Sequence, residues 1–304
     1  MFMGWRVVTV KQGDSIKLSL SNLVIEKNTD TFRIPLDDIN ILILEGNTTL
    51  TTNVLSTLTN NKVVVVVCDR KYMPRTMILD YGGYHHCAKR VREQLAWEET
   101  LQLEIWGEIV SQKIGNQIRF VMLENAPNDR VEKMLKLADE MELGDKNNRE
   151  GMIAKVYFNT LYGMEFTRDD EDYLVNAAMN YGYAILRAAV ARAVVGQGLL
   201  PLYGVFHKNE YNAFNLVDDL MEPFRPLMDC WLNKNVLVGQ EYLTYELRLK
   251  IISFLTQPIR SNGKISDINK VIDRYVISFV SAMNNKDIGL LDVIDLQDFV
   301  EVME

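Results

Sequence analysis

The chain has 304 residues and 48% of them are hydrophobic, enough for a sizeable core and too many for gross disorder. Its formal net charge of −8 excludes a general nucleic-acid coat protein, because phosphate binding needs cationic surface. Charged residues interrupt every apolar run before it reaches bilayer length. The N-terminus MFMGWRVVTVKQGD lacks the basic head, apolar middle and small-residue cleavage site of a signal peptide. A cytoplasmic protein with no membrane association is therefore expected.

The first 70 residues read as β structure. Segments 5–10 and 15–20 flank Gln12-Gly13-Asp14, a hairpin-type signal. Strands are expected at 23–26, 32–35 and 39–44, then one short helix over 49–60. Residues 62–68 (KVVVVVC) are apolar on both faces and should be buried, with Cys68 in the core. The other cysteines, Cys87 and Cys230, form no CxxC pair, so neither a disulfide framework nor a structural zinc site is expected.

The character changes after Asp69. Met73-Pro74 and Tyr81-Gly82-Gly83-Tyr84 punctuate the chain strongly. Beyond them the pattern is almost wholly helical. Helices are expected over 89–114, ended by Gly115-Asn116, and over 131–142, 151–161, 170–195, 216–233, 239–256, 266–284 and 292–302. The predicted fold is α+β. Residues 1–74 form a small β-sandwich domain, 75–84 a linker, and 85–304 a large all-α domain, with two separate cores.

No phosphate-binding glycine loop and no G-x-S-x-G elbow is present, so any catalysis must come from histidine and carboxylates. Histidine is scarce, being confined to His85, His86 and His207. His207 sits in a loop between two helices, a place where polar groups meet the mouth of a core. Asp218, Asp219 and Glu222 share one helical side and repel one another unless a cation or an arginine such as Arg225 joins them. Glu150 stands in a helical first turn, where an acid is favourable anyway. Singly, each is better explained as a surface loop histidine, a solvated acidic face and a helix-start acid. Together they offer one nitrogen and two or three oxygens, a set that suits Mg²⁺ or Mn²⁺.

Three blocks carry a resemblance: REGMIAKVYF with Glu150, LLPLYGVFHKN with His207, and DDLMEPFRP with Glu222. Their order and separations, and the helix from Tyr173 through Tyr181-Gly182-Tyr183 to Arg187, resemble the CRISPR-associated spacer-acquisition integrase family over nearly the whole chain. MGWR near the start and DLMEPFRP resemble the type II-A branch, which accompanies a single-protein RNA-guided effector nuclease. The resemblance implies that Glu150, His207 and Glu222 are the catalytic metal ligands, for Mg²⁺ or Mn²⁺. Asp219 matches a nearby family acid that supports the ligands or replaces one. The implied reaction is attack by each 3′-hydroxyl of a short duplex prespacer on the CRISPR repeat DNA, a transesterification needing no ATP. Metal-dependent endonuclease activity accompanies it.

The implied assembly is a homodimer through the β domains, two of which flank a small ferredoxin-like subunit in a heterohexamer. The effector nuclease and a DNA-end-binding protein are further partners. From charge alone, Lys89, Arg90 and Arg92 on a helix, and Arg149 and Lys208 beside the ligands, are candidate DNA contacts. Tyr84, His85 and His86 are candidates for stacking on a splayed base. Two other readings use the same residues: a metal-dependent nuclease with water as nucleophile, and a non-catalytic DNA-binding scaffold.

Overall fold

The computed structural model describes residues 4–11, 14–27, 30–80, 86–170 and 173–303. The chain opens with strands β1 (Arg6–Val10), β2 (Ser15–Ser19), β3 (Asn22–Lys27), β4 (Asp30–Pro35) and β5 (Ile39–Leu44). Helix α1 (Thr52–Asn60) follows, then β6 (Val64–Cys68) and β7 (Pro74–Ile78). They form two sheets, ordered β1-β5-β6-β7 and β2-β3-β4. In the larger sheet β1, β5 and β6 are parallel and β7 is antiparallel. Parallel neighbours need a crossover, and α1 supplies it between β5 and β6. Thr51 caps α1 by accepting the Val54 amide at 3.3 Å.

The expected hairpin between the first two strands does not form. β1 joins β5 in parallel, whereas β2 pairs with β3 in the other sheet. The strand INILIL explains why: all six residues are buried, so β5 must lie inside a sheet with neighbours on both edges. Gln12 and Gly13 lie outside the described residues. The expected linker also begins later than predicted. Strand β7 occupies Pro74–Ile78, with Pro74 at the first position of an edge strand, where its missing amide costs no ladder bond. Tyr81 to His85, which include the stacking candidates Tyr84 and His85, lie outside the described residues.

The helical region contains α2 (Cys87–Leu95), α3 (Glu99–Leu123), α4 (Asn128–Asp139), α5 (Arg149–Tyr162) and α6 (Leu174–Gly196). After a long loop come α7 (Asn215–Met221), α8 (Arg225–Asn235), α9 (Tyr245–Ile252), the hairpin β8 (Pro258–Ser261) and β9 (Lys264–Asp267), α10 (Ile268–Asn285) and α11 (Leu296–Met303). The hairpin interrupts a region expected to be all helix. Asn262 and Gly263 both take positive φ, the two-residue turn that Asn-Gly favours. None of the described helices is long and apolar enough to cross a membrane.

The helix expected over 89–114 is two helices, broken before Glu99 and running on to Leu123. Asn116 does not end α3. It is fully buried, donates to the carbonyls of Pro223 (3.1 Å) and Ile294 (2.8 Å), and accepts the Leu296 amide at 2.9 Å. Tertiary partners thus override a local stop signal.

The two regions do not have separate cores. Because side chains alternate across a strand, Leu42, Leu44 and Val65 face the smaller sheet, where Ile16, Leu23 and Ile25 meet them. Ile41, Ile43, Val64 and Val66 face the helices and join a core with Tyr181 and Ile185. At the end of β5, buried Glu45 receives a two-pronged ion pair from Arg248 of α9 (2.9 and 3.1 Å) and a 3.3 Å bond from the Tyr181 hydroxyl. Removing one member of such a pair strands a buried charge. Arg248→Met is expected to cost roughly 3–5 kcal/mol in urea unfolding, with much of the loss recovered in Arg248→Met/Glu45→Leu. A loss below about 1 kcal/mol, the range of exposed pairs, would show that the two regions are stabilised independently.

Candidate active site

Three elements converge near the middle of the chain. α3 presents Lys113, the first turn of α5 presents Glu150, and a 3₁₀ turn over Glu222–Phe224 between α7 and α8 presents Glu222. The α5 start is fixed locally. Asn148 takes a left-handed conformation (φ 52°) and the Asp145 carboxylate accepts the amides of Arg149 (2.6 Å) and Glu150 (3.2 Å). Pro223 suits the first positions of the 3₁₀ turn that carries Glu222.

Glu150 and Glu222 meet on one ammonium group. Lys113 Nζ bonds Glu150 Oε1 and contacts Glu222 Oε2 at 2.5 Å. Arg225 holds the other oxygen, its Nε donating to Glu222 Oε1 at 2.9 Å. Burial works against the Glu222 charge, but Arg225 and Lys113 outweigh it and hold this carboxyl down at about 2. Burial likewise works against the Lys113 charge, and Glu222 and Glu150 overcome it, so the ammonium loses its proton less readily than usual. The group lines a cavity of about 260 Å³ with Phe158, Arg168, Tyr183 and Asp229. On its floor Asp229 accepts the hydroxyls of Tyr183 (2.6 Å) and Tyr157 (2.9 Å), and burial raises its carboxyl to about 6.

His207 is held differently. Asp219, fully buried, accepts the backbone amides of Val205 (2.7 Å), Phe206 (3.1 Å) and His207 (3.1 Å), and meets His207 Nδ1 at 2.6 Å. One carboxylate therefore shapes the loop and orients the ring it carries. A Cβ on Gly204 would lie 2.6 Å from Asp219 Oδ2 and 2.6 Å from the His207 carbonyl, so only glycine lets the loop close on that acid. Trp106 of α3 stacks on Phe206 (4.2 Å, 3°), and His207 stands edge-on to both. In the neutral ring, an Nδ1–H donated to Asp219 leaves the lone pair on Nε2. The three acids of 218–222 thus have separate partners, since Asp218 pairs with Arg187 Nε at 2.8 Å.

The sequence of residues 7–236 matches the family described as "CRISPR associated protein Cas1". The "CRISPR-associated endonuclease Cas1" of Neisseria meningitidis serogroup C is 36% identical over 98% of this chain and 99% of its own. This chain belongs to the Cas1 family. A Cas1 protein from Thermotoga maritima has the same fold, with a TM-score of 0.71 and 17% identity over 92% of this chain and 97% of that one. A casposase bound to integration product also shares it, with a TM-score of 0.71 and 20% identity over 94% and 93% of the two chains.

Within this Cas1 chain, geometry pairs Glu150 with Glu222 and leaves His207 on Asp219. Among the described residues no three His, Cys, Asp or Glu side chains converge closely enough to hold an ion. The cationic DNA candidates are dispersed. Lys89 and Arg90 both reach Glu93 (3.6 and 3.1 Å), Arg92 is exposed, Arg149 pairs with Glu140 at 3.0 Å, and Lys208 is exposed beside His207. His86 precedes α2 with a left-handed backbone. Sequence reasoning passed over Lys113 and Arg168. A signal for Lys113 existed, because it occupies a core position in the buried spacing Trp106, Val110, Lys113, Gln117, Phe120.

The Asp219 contact, opposed by partial burial, raises the His207 pKa above its ordinary 6.5. A raised histidine stabilises the fold fully below its unfolded pKa, and that contribution is lost as pH rises through the folded value. An imidazole NMR titration of the metal-free protein should place the His207 midpoint above 6.5 and lower it in Asp219→Asn. A wild-type midpoint at or below 6.5 would contradict the assigned contact.

Proposed function

We propose that this chain is the divalent-metal-dependent DNA integrase of CRISPR adaptation, joining prespacer 3′-hydroxyl ends to repeat DNA by transesterification. The observation that carries the reading is the convergence of Glu150 and Glu222, from distant parts of the chain, on one buried cationic position. Two carboxylates within the span of one cation match the hard oxygen donors that Mg²⁺ and Mn²⁺ take. Glu150 and Glu222 would hold the ion, and His207 Nε2 would complete the set after closing from its loop. Bound there, the ion would activate the attacking hydroxyl and stabilise charge on the phosphate.

The chain's own residues supply the rest. Asp219 orients the imidazole and Arg225 fixes the Glu222 carboxylate. Arg168, anchored on Asn176 and Asn180 at 2.8 Å, adds a cation to the cavity wall for phosphate oxygens. Transesterification conserves bond number, so the reading requires no nucleotide cofactor. A solved complex that contains Cas1 and Cas2 chains shares this fold, with a TM-score of 0.75 and 18% identity over 96% of this chain and 36% of that chain. Its Cas1 and Cas2 chains support a Cas2-type partner for this chain; in the proposed assembly the chain is a homodimer and that partner is a small ferredoxin-like subunit. Duplex prespacer and repeat DNA are the substrates.

A second reading, a nuclease with water as nucleophile, is favoured by the name of the 36% identical relative, an endonuclease. One assay separates the two. A labelled 3′-hydroxyl duplex is incubated with Mn²⁺, the partner subunit and a supercoiled repeat-bearing plasmid, without ATP. Strand joining is expected, and Glu150→Gln, His207→Ala and Glu222→Gln should each reduce it by about 100-fold or more while retaining DNA binding. Cleavage without joining would overturn the integrase reading. Unchanged joining in all three variants would remove them from the chemistry.

A further inference from the structure

The Glu150–Lys113–Glu222 contact raises a question that the donor set alone does not. Both carboxylates are already neutralised from within the protein, by Lys113 and Arg225. A divalent ion and an ammonium group cannot share the same oxygen pair, because like charges at that separation repel strongly in a buried site. Lysine is suited to leaving. Its charge sits at the end of a flexible four-carbon stem, so Nζ can move several ångströms without backbone motion.

A second place for that charge exists one turn along the same helix. Gln117 is 3% exposed and lines the same cavity, and its Oε1 is buried without a donor among the described residues. Residues four apart on a helix are neighbours. An orphaned buried acceptor is costly, and an ammonium group is the donor that would satisfy it. We propose that Lys113 is a resident counter-ion that occupies the metal position in the metal-free protein. On divalent-ion binding it swings from Glu150 and Glu222 to Gln117 Oε1. The device places a cation between the two facing carboxylates before the metal arrives, and it makes metal binding an exchange of cations. It rests on the metal-dependent reading above.

Calorimetric titration of the full chain with Mn²⁺ tests it. A wild-type protein that gives no Mn²⁺-binding heat at any concentration, either alone or with saturating 3′-hydroxyl duplex DNA, would sink the metal reading and the exchange together. If the wild type binds, Lys113→Met removes the competitor and should bind Mn²⁺ about tenfold more tightly. Gln117→Met removes the second seat and should bind about threefold or more weakly. Equal or weaker binding by Lys113→Met, with the wild type still binding, overturns the exchange alone. Should Lys113→Met not fold, the wild-type Lys113 ¹⁵Nζ resonance, assigned with Lys113→Arg, provides the readout. It must shift on adding Mg²⁺ with the calorimetric midpoint, and an unmoved resonance overturns the proposal.

Discussion

Two carboxylates brought face to face in a buried site repel unless a positive charge lies between them. That constraint organises the centre of this molecule. Glu150 and Glu222 come from different elements, and the Lys113 ammonium group lies between them and bonds to both. α3 must therefore carry a lysine into its buried face, and it does so beside Asn116 and Gln117. Arg225, three residues after Glu222, takes the remaining carboxylate oxygen. The surrounding polar groups follow the same rule. Asp229 is kept at the cavity floor by two tyrosine hydroxyls rather than by an ion.

The histidine is governed by a neighbouring but separate device. Asp219 binds three consecutive backbone amides and the ring of His207, so loop shape and ring tautomer depend on one side chain. Gly204 allows the close approach and Trp106 braces the loop from α3. Under the proposed reading, the imidazole would have to close on the carboxylate pair to act as one site with it. That arrangement suits a reaction in which the ion arrives with, or just before, its DNA.

Much of this was legible in the residues. The alternating and doubly apolar strands located six of the seven N-terminal strands. The family blocks pointed to Glu150, His207 and Glu222, of which the structure brings Glu150 and Glu222 together and leaves His207 on Asp219. What escaped has physical reasons. β1 pairs with β5 instead of β2 because pairing partners depend on which strand must be buried on both faces, a property of the assembled sheet. Gly115-Asn116 read as a helix end because propensity is local, whereas Asn116 is held by carbonyls more than 100 residues away. Asn262-Gly263 was a readable hairpin signal between helical patterns. Lys113 was hidden because a charge at a core position has meaning only once its partners are known. Two acids from separate elements supply that meaning.

In the proposed reaction, Glu150, His207 and Glu222 close on one divalent ion when substrate is present. The most direct measurement is anomalous diffraction at the manganese edge from crystals of the chain with Mn²⁺ and duplex DNA bearing 3′-hydroxyl ends. One peak is expected about 2.2 Å from a carboxylate oxygen of Glu150, one of Glu222 and Nε2 of His207, with Lys113 withdrawn from both acids. Ordered DNA with no peak there, and Lys113 still bridging Glu150 and Glu222, would contradict it.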